Sequence, residues 1–353
     1  MPVDLPTPFL CVDVDVLEAN LRAMAAGAAA RGLALRPHAK THKCVRIARR
    51  QMALGAKGLT VATVREAEVF ADGGLDDLFI AYPVWPSPQQ TARLRALARR
   101  VALRAGVDSA ESAAALGRAV PGLEVLVEVD SGHHRSGAEP GRAGEIAVAA
   151  QAAGLRVRGV FTFPGHAYGP QRQRSAQEDE STALATAAAS VAAAGLDAGV
   201  VSGGSTPTAA LTTAGPITEM RPGLYVFGDA QQIELGTADW SQIAMTVAST
   251  VVSRRADRVI VDAGSKILGA DRQPWATGHG RLPDHPDARI VALSEHHATV
   301  TLPDGTPLPA LGDTLQIVPN HACAAVNLAD ELIVVSGGEL VDRWPVDARG
   351  ANT

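Results

Sequence analysis

The sequence of 353 residues predicts a closed (β/α)8 barrel of the TIM type followed by a smaller β domain, and three observations predict it. From about residue 15 to 230, short apolar or β-branched runs alternate with alanine- and arginine-rich stretches of helical spacing, the mark of a parallel sheet. Seven or more such units follow one another about 30 residues apart, which favours closure; an open doubly wound sheet is the alternative. After Gly236 the helical spacing stops, and strand-like runs separated by turn residues take over.

The runs read as barrel strands are 33–37, 58–61, 78–81, 101–105, 123–129, 155–163 and 198–201. The helices between them are expected at 16–30, 45–53, 64–71, 88–99, 109–118, 142–153 and 177–194. In the second part, strands are expected at 243–253, 258–262, 289–293, 299–302, 314–318 and 331–335, with no helix. Asp304-Gly305 and Gly337-Gly338 read as hairpin turns between them. The barrel is thus placed at 16–235 and the β domain at 236–353, with 1–15 strand-like and able to join either.

Bulk properties remove several classes. A net charge of −5 offers no basic excess to hold a phosphate backbone, so nucleic acid is not an expected partner. No apolar run reaches the roughly 18 residues of a membrane span. The opening MPVDLPTPFL is acidic and proline-rich, unlike a signal peptide. Cys11, Cys44 and Cys323 are too few for a disulfide framework, and a reducing cytoplasm is expected.

Barrel chemistry belongs where strands end. Lys40, in RPHAKTHK, follows the first strand, bracketed by His38 and His42. His133, His134 and Arg135 follow the fifth, and His166 and Tyr168 the sixth. SGGSTPT follows the seventh. Gly203 and Gly204 allow close approach of backbone N–H groups to an anion, ahead of a helix-starting proline. An ordinary strand–turn–helix with a capping hydroxyl reads the same way. A strand-end lysine with a phosphate cradle suggests pyridoxal 5′-phosphate, which needs both an amine and an anchor. Lys40 would need a lowered pKa, from burial and from neighbours such as Lys43 or Arg135. In Pro319-Asn320-His321-Ala322-Cys323, strand alternation would put His321 and Cys323 on one face, as a zinc pair or as a satisfied histidine beside a buried thiol.

TPFLCVDVDVLEANL, RPHAKTHK, DSGHHRSG, FPGHAYG, VSGGSTPT, EMRPGLYVFGD and VPNHACAAVNL occur in that order across almost the whole chain. Together they resemble the D-serine dehydratase and D-threonine aldolase family, pyridoxal-phosphate enzymes of the alanine racemase fold type. The resemblance implies that Lys40 forms the internal aldimine and that Arg135 lies near the ring hydroxyl of the cofactor. It further implies Tyr168 beside the ring and Gly203, Gly204 and Ser205 at the phosphate. Tyr225 is a loose match to a cofactor-binding segment, since Phe227 falls where alanine racemases carry their phosphate tyrosine. His321 and Cys323 match the His-x-Cys zinc site of the dehydratases, where the aldolases typically carry His-x-Asp; manganese or magnesium are the alternative metals.

The function expected is a lyase of D-β-hydroxy amino acids, with dehydration of D-serine or D-threonine to a 2-oxo acid and ammonia favoured. Retro-aldol cleavage to glycine and an aldehyde, with His166 as a candidate base, is the alternative. An amino acid racemase and a non-catalytic carrier of the cofactor are the remaining readings. A homodimer is expected by the same resemblance.

Overall fold

The computed structural model describes residues 5–353; the acidic opening MPVD lies outside the described residues. In chain order the first half contains β1 (Phe9–Asp13), α1 (Val14–Ala30), β2 (Ala34–Leu35), α2 (Val45–Ala53), β3 (Leu59–Val61), α3 (Val64–Asp72), β4 (Asp77–Pro83), α4 (Pro88–Ala98), β5 (Ala102–Val107), α5 (Ala110–Ala119), β6 (Glu124–Glu128), α6 (Ala143–Ala152) and β7 (Arg156–Phe161). There follow α7 (Gln173–Ala193), β8 (Val200–Gly203), β9 (Glu219–Met220), α8 (Ala230–Glu234), β10 (Met245–Arg254), β11 (Arg258–Val261), α9 (Ser265–Leu268), β12 (Arg289–Leu293), β13 (Ala298–Thr301), β14 (Thr314–Ile317), α10 (Ala322–Leu328), β15 (Glu331–Ser336) and β16 (Glu339–Pro345). The chain forms two compact units. One comprises Ala23–Lys40, Ile47–Gly223 and Ala351–Thr353; the other comprises 5–22, Thr41–Arg46 and Leu224–Gly350.

The first unit is the barrel. Its eight parallel strands run in the order β2-β9-β8-β7-β6-β5-β4-β3. The two ends of that ladder meet: Lys57 N–H donates to Leu35 O at 2.8 Å, Thr60 N–H to Pro37 O at 2.8 Å, and His38 forms a parallel bridge with Thr60. Closure leaves no strand edge open. The strands are apolar on both faces, as in Val125, Leu126 and Val127, because helices cover the outside. Caps set where those helices begin. Thr63 accepts from Glu66 N–H ahead of α3, and Ser87 with Gln90 and Ser109 with Ser112 form capping boxes ahead of α4 and α5. Sequence spacing placed all seven of these helices but missed β9, whose two residues are too short to show a period.

The barrel interior mixes rings and ions. Phe79 and Phe161 meet edge to face at 5.0 Å and pack with Leu126. The Arg221 guanidinium lies 5.3 Å from the centre of the Phe161 ring and donates to Ser202 Oγ and Thr162 O, each at 2.5 Å. Arg36 is held between Glu219, at 2.8 Å, and Asp77, at 2.6 Å. These buried charges keep partners, as a low-dielectric interior requires.

The second unit is a sheet of order β12-β13-β11-β10-β1-β15-β16, with β14 also paired to β10. β1 joins it, antiparallel to β10 and parallel to β15, which decides the assignment that the sequence left open. Three expectations are corrected. α9 and α10 are helices where none was expected; at four and seven residues they are too short for a periodic signal. β16 follows the Gly337-Gly338 turn as an unforeseen strand, its residues alternating poorly because Leu340 and Val341 are both exposed. Asp304-Gly305 is a turn but not a hairpin, since β13 pairs with β11 and β12 while β14 pairs with β10. Among the described residues, no helix is long and apolar enough to cross a membrane.

Gly159 sits where the β6–β7 register shifts, with φ +144°, and a Cβ there would overlap the Val200 carbonyl of β8. Gly159→Ala should therefore lower the unfolding free energy by about 2 kcal/mol or more, measured by urea denaturation.

Candidate functional site

The barrel ladder positions the lysine. Arg36 N–H donates to Met220 O and His38 N–H to Pro222 O, both at 3.0 Å, while Thr60 bonds the other side of the same segment. Chain bonded on both sides cannot swing, and Lys40 leaves it in the short 3-10 turn Ala39–Thr41. His38 supports that turn, its Nδ1 lying 3.5 Å from Lys40 N. His42 is fully buried and accepts from Cys44 N–H at 3.1 Å, a local packing role.

Phe163, just past β7, is where the expected residues converge. The Lys40 ammonium lies 5.6 Å from its ring centre and the Arg135 guanidinium 5.1 Å. The Tyr168 ring lies 6.1 Å away, and His133 meets Phe163 edge-on at 5.6 Å. Four groups singled out at three strand ends therefore surround one aromatic ring. The loop bearing His133 and Arg135 is folded by Asp130, whose Oδ1 accepts from the N–H groups of Gly132, His133 and His134 at 2.8, 3.0 and 3.0 Å. Burial, with the Arg135 and His166 charges, pulls the His133 pKa below the ordinary imidazole value.

Glu128, at the end of β6, lines a small pocket with Asp130, His133, Arg135, Thr162 and Phe163. It is 2% exposed; Ser136 Oγ donates to its Oε1 at 3.0 Å, and its Oε2 has no partner. Burial pushes its pKa up to about 7. His166 lies in the turn Gly165–Tyr168 with Nε2 3.2 Å from Asp179, and its buried Nδ1 also has no partner. The unpartnered Glu128 Oε2 belongs to the pocket that Arg135 and Phe163 line, and the unpartnered His166 Nδ1 to the turn that carries Tyr168; buried polar atoms left open in this way suit a polar aromatic ligand such as pyridoxal phosphate.

The glycine turn is tighter than its sequence suggests. Gly204 has φ +79°, and its N–H donates to Glu180 Oε1 at 2.6 Å; Ser205 N–H donates to Thr208 Oγ1 at 3.0 Å. A Cβ at Gly203 would stand 2.6 Å from Glu180 Oε1. Glu180 comes from α7 and is fully buried; its pKa is pushed up to about 7 by that burial, against the pull of Gly204 N–H and Arg221. Phe163, Glu128 and Glu180 went unassigned in the sequence. Phe163 stands in FPGHAYG and could have been asked for a role, whereas Glu180 in the acidic run of α7 gives no sign of pointing inward.

His321 and Cys323 lie in the other unit. They are not on a strand: His321 is the N-cap of α10 and Cys323 its second residue, because Pro319 and Asn320 end the β14 ladder early. Strand alternation therefore does not pair them, yet the helix start brings the two side chains within hydrogen-bonding reach of each other. Cys323 Sγ also donates to Thr41 Oγ1 at 3.3 Å, and His321 Nδ1 lies 2.8 Å from Asp271 Oδ2. Burial acts to lower the His321 pKa, but the Cys323 charge and the hydrogen bonds with Asp271 and Cys323 raise it well above the usual value. Asp229 accepts from Ala322 N–H at 3.3 Å and Gln231 Nε2 donates to Asn320 O at 2.8 Å, so both brace the segment from behind. Among the described residues, no group of three or more His, Cys, Asp or Glu is gathered for a metal. An imidazole beside a thiol still suits a divalent ion that takes its other ligands from water or substrate. Tyr225 belongs to this unit as well, buried in the short turn Leu224–Val226.

A barrel of this topology with a basic cluster at its strand ends and an attached β unit is the alanine racemase architecture. The alanine racemase N-terminal domain family matches residues 12–231, and the serine dehydratase domain family matches 244–335. D-threonine aldolase from Arthrobacter sp. is 36% identical, over 98% of this chain and 93% of its own. D-threo-3-hydroxyaspartate dehydratase from Delftia sp. is 36% identical, over 91% of each chain, and its solved structure superposes with a TM-score of 0.88 over 97% of each. The alanine racemase of Clostridium difficile, at 12% identity and a TM-score of 0.71, shares the fold. The chain belongs to the D-serine dehydratase and D-threonine aldolase family.

Glu180 should make stability depend on pH. Its carboxyl stays protonated up to about 7 in the folded chain but ionises from about 4.5 once unfolded. Between those values the folded state binds more protons, so the contribution is present at pH 4.5 and is lost as pH rises through 7. Glu180→Gln cannot ionise, and its stability relative to the parent should rise from pH 5 to pH 8 in urea unfolding; a constant difference would mean a charged carboxylate in the fold.

Proposed function

We propose that this chain is a pyridoxal-phosphate- and metal-dependent dehydratase of D-β-hydroxy amino acids, releasing a 2-oxo acid and ammonia. The observation that carries the choice of dehydration is the His321-x-Cys323 pair. Solved structures of D-threo-3-hydroxyaspartate dehydratase include variants in which a histidine and a cysteine two residues apart are each changed to alanine, the cysteine variant in the metal-free form. The pair here has the same spacing. Retro-aldol cleavage is the second reading, because the Arthrobacter D-threonine aldolase is equally identical and covers slightly more of the chain.

In this reading Lys40 is the covalent attachment point of pyridoxal phosphate, and Arg135, Tyr168 and the turn Gly203, Gly204 and Ser205 hold it, with Tyr225 as a further contact. Bound there, the cofactor supplies an electron sink for bond breaking at the substrate Cα. The Lys40 amine would hold the proton of the substrate Cα as general base. Phe163 sets its ring 5.6 Å from that amine, and Arg135 offers N–H donors to anionic oxygen. His166 Nδ1, buried and unbonded, can accept a proton from a substrate hydroxyl. His321 and Cys323 would hold the divalent metal, zinc by the softness of thiolate, which supplies Lewis acidity toward the leaving hydroxyl. The working form is taken to be a cytoplasmic homodimer, which light scattering of the purified protein tests.

Lys40→Ala should abolish the cofactor's visible absorbance and the mass gain fixed by borohydride, both of which the parent should show. Cys323→Ala should keep that absorbance and lose turnover by roughly 100-fold or more, since even partners one step removed from a metal are worth about 10–100-fold. Product analysis with D-serine, D-threonine and D-threo-3-hydroxyaspartate decides the bond broken: 2-oxo acid supports dehydration, and glycine with an aldehyde overturns it.

A further inference from the structure

The imidazole of His321 is itself held by a carboxylate from a separate element. Asp271 follows α9, and its Oδ2 lies 2.8 Å from His321 Nδ1 across 50 residues of chain. An N–H at Nδ1 donating to that carboxylate leaves the lone pair on Nε2. Imidazole that binds a metal does so through an unprotonated nitrogen, so the Asp271 bond selects the tautomer and fixes the ring plane.

The placement of Asp271 depends on a specific turn. Gly269 ends α9 with φ +76°, its N–H returning to Ser265 O at 3.1 Å. A Cβ on Gly269 would stand 3.0 Å from the Ala324 Cβ, so the missing side chain lets this turn press against the first turn of α10. Two residues later the chain brings Asp271 back to the N-cap of the same helix. The second nearby carboxylate has a different task. Asp229 is buried and takes backbone N–H groups, from Gln232 at 2.9 Å and Ala322 at 3.3 Å. Asp229 thus fixes the backbone under His321, and Asp271 fixes the ring. The Asp271 side chain is 61% exposed, so its loss removes no core packing.

We propose that Asp271 is a positioning residue for the metal site, orienting His321 so that Nε2 faces the ion shared with Cys323. This rests on the reading of His321 and Cys323 as metal ligands. Removal of such a partner weakens metal binding by about 10–100-fold.

The test is metal affinity of the cofactor-loaded protein, stripped by chelator and titrated with zinc against a chromophoric competitor. Cobalt(II) titration gives a second readout, since thiolate-to-cobalt charge-transfer absorbance reports Cys323 without any turnover. Asp271→Ala should weaken zinc by about 10–100-fold while keeping the cobalt–thiolate band at saturation, and Asp271→Asn, whose amide oxygen still accepts from Nδ1, should lose less. Affinity within twofold of the parent in Asp271→Ala, with His321→Ala having lost binding, overturns the proposal alone. Loss as complete as in His321→Ala in both Asp271 variants makes Asp271 a ligand and overturns its positioning role. Unchanged affinity in His321→Ala overturns the metal reading itself and this proposal with it. Should Asp271→Ala unfold, Asp271→Asn decides between these outcomes.

Discussion

The bond pattern around residues 36–38 is the constraint on which the barrel site depends. That short segment is hydrogen-bonded to Met220 and Pro222 on one side and linked to Thr60 on the other, so the first and last strands of the ladder meet there. A closed parallel barrel has one end at which every strand finishes, and the loops leaving that end share a small space. Lys40 emerges two residues past the closing bond. The loops carrying Arg135 and Tyr168 leave β6 and β7 at the same end, and Phe163 gives them a common surface. Without closure, those loops would sit along a twisted sheet rather than around one ring.

Charge inside the barrel follows a consistent arrangement. Arg36 and Arg221 are buried with acceptors on several sides, and Glu219 is held below the ordinary carboxylate pKa by Arg36 despite the burial that opposes it. Glu128 and Glu180 lack such partners and stay protonated to about 7. The contrast has one cause: a buried carboxyl ionises only where a cation stands within bonding distance. Glu180 is neutral yet useful, since its Oε1 takes the Gly204 N–H and shapes the turn that Gly203 and Gly204 allow.

The β unit shows the same economy on a smaller scale. The start of α10 is braced by backbone contacts to Asp229 and Gln231, and at its far end Lys43 Nζ donates to Asn327 Oδ1 at 2.7 Å. A seven-residue helix has little stability of its own. Its end contacts stand in for length, and they hold His321 and Cys323 where a strand would have pointed them only by alternation.

The residues by themselves determined the fold class, seven barrel helices, the order of the reactive strand ends and the membership of the family, because apolar periods and short motifs are local properties. Lys40, Arg135 and Tyr168 were legible in this way, each as a strand-end residue. The convergence of all three on Phe163 was decided by tertiary structure, since barrel closure brings together positions separated by more than a hundred residues. The inward turn of Glu180 and the carboxylate on His321 were likewise out of reach: a helix face or a loop acid shows its partner only once distant chain packs beside it. The helical rather than extended setting of Cys323 belongs with them, because a helix of two turns carries too few residues to display its period.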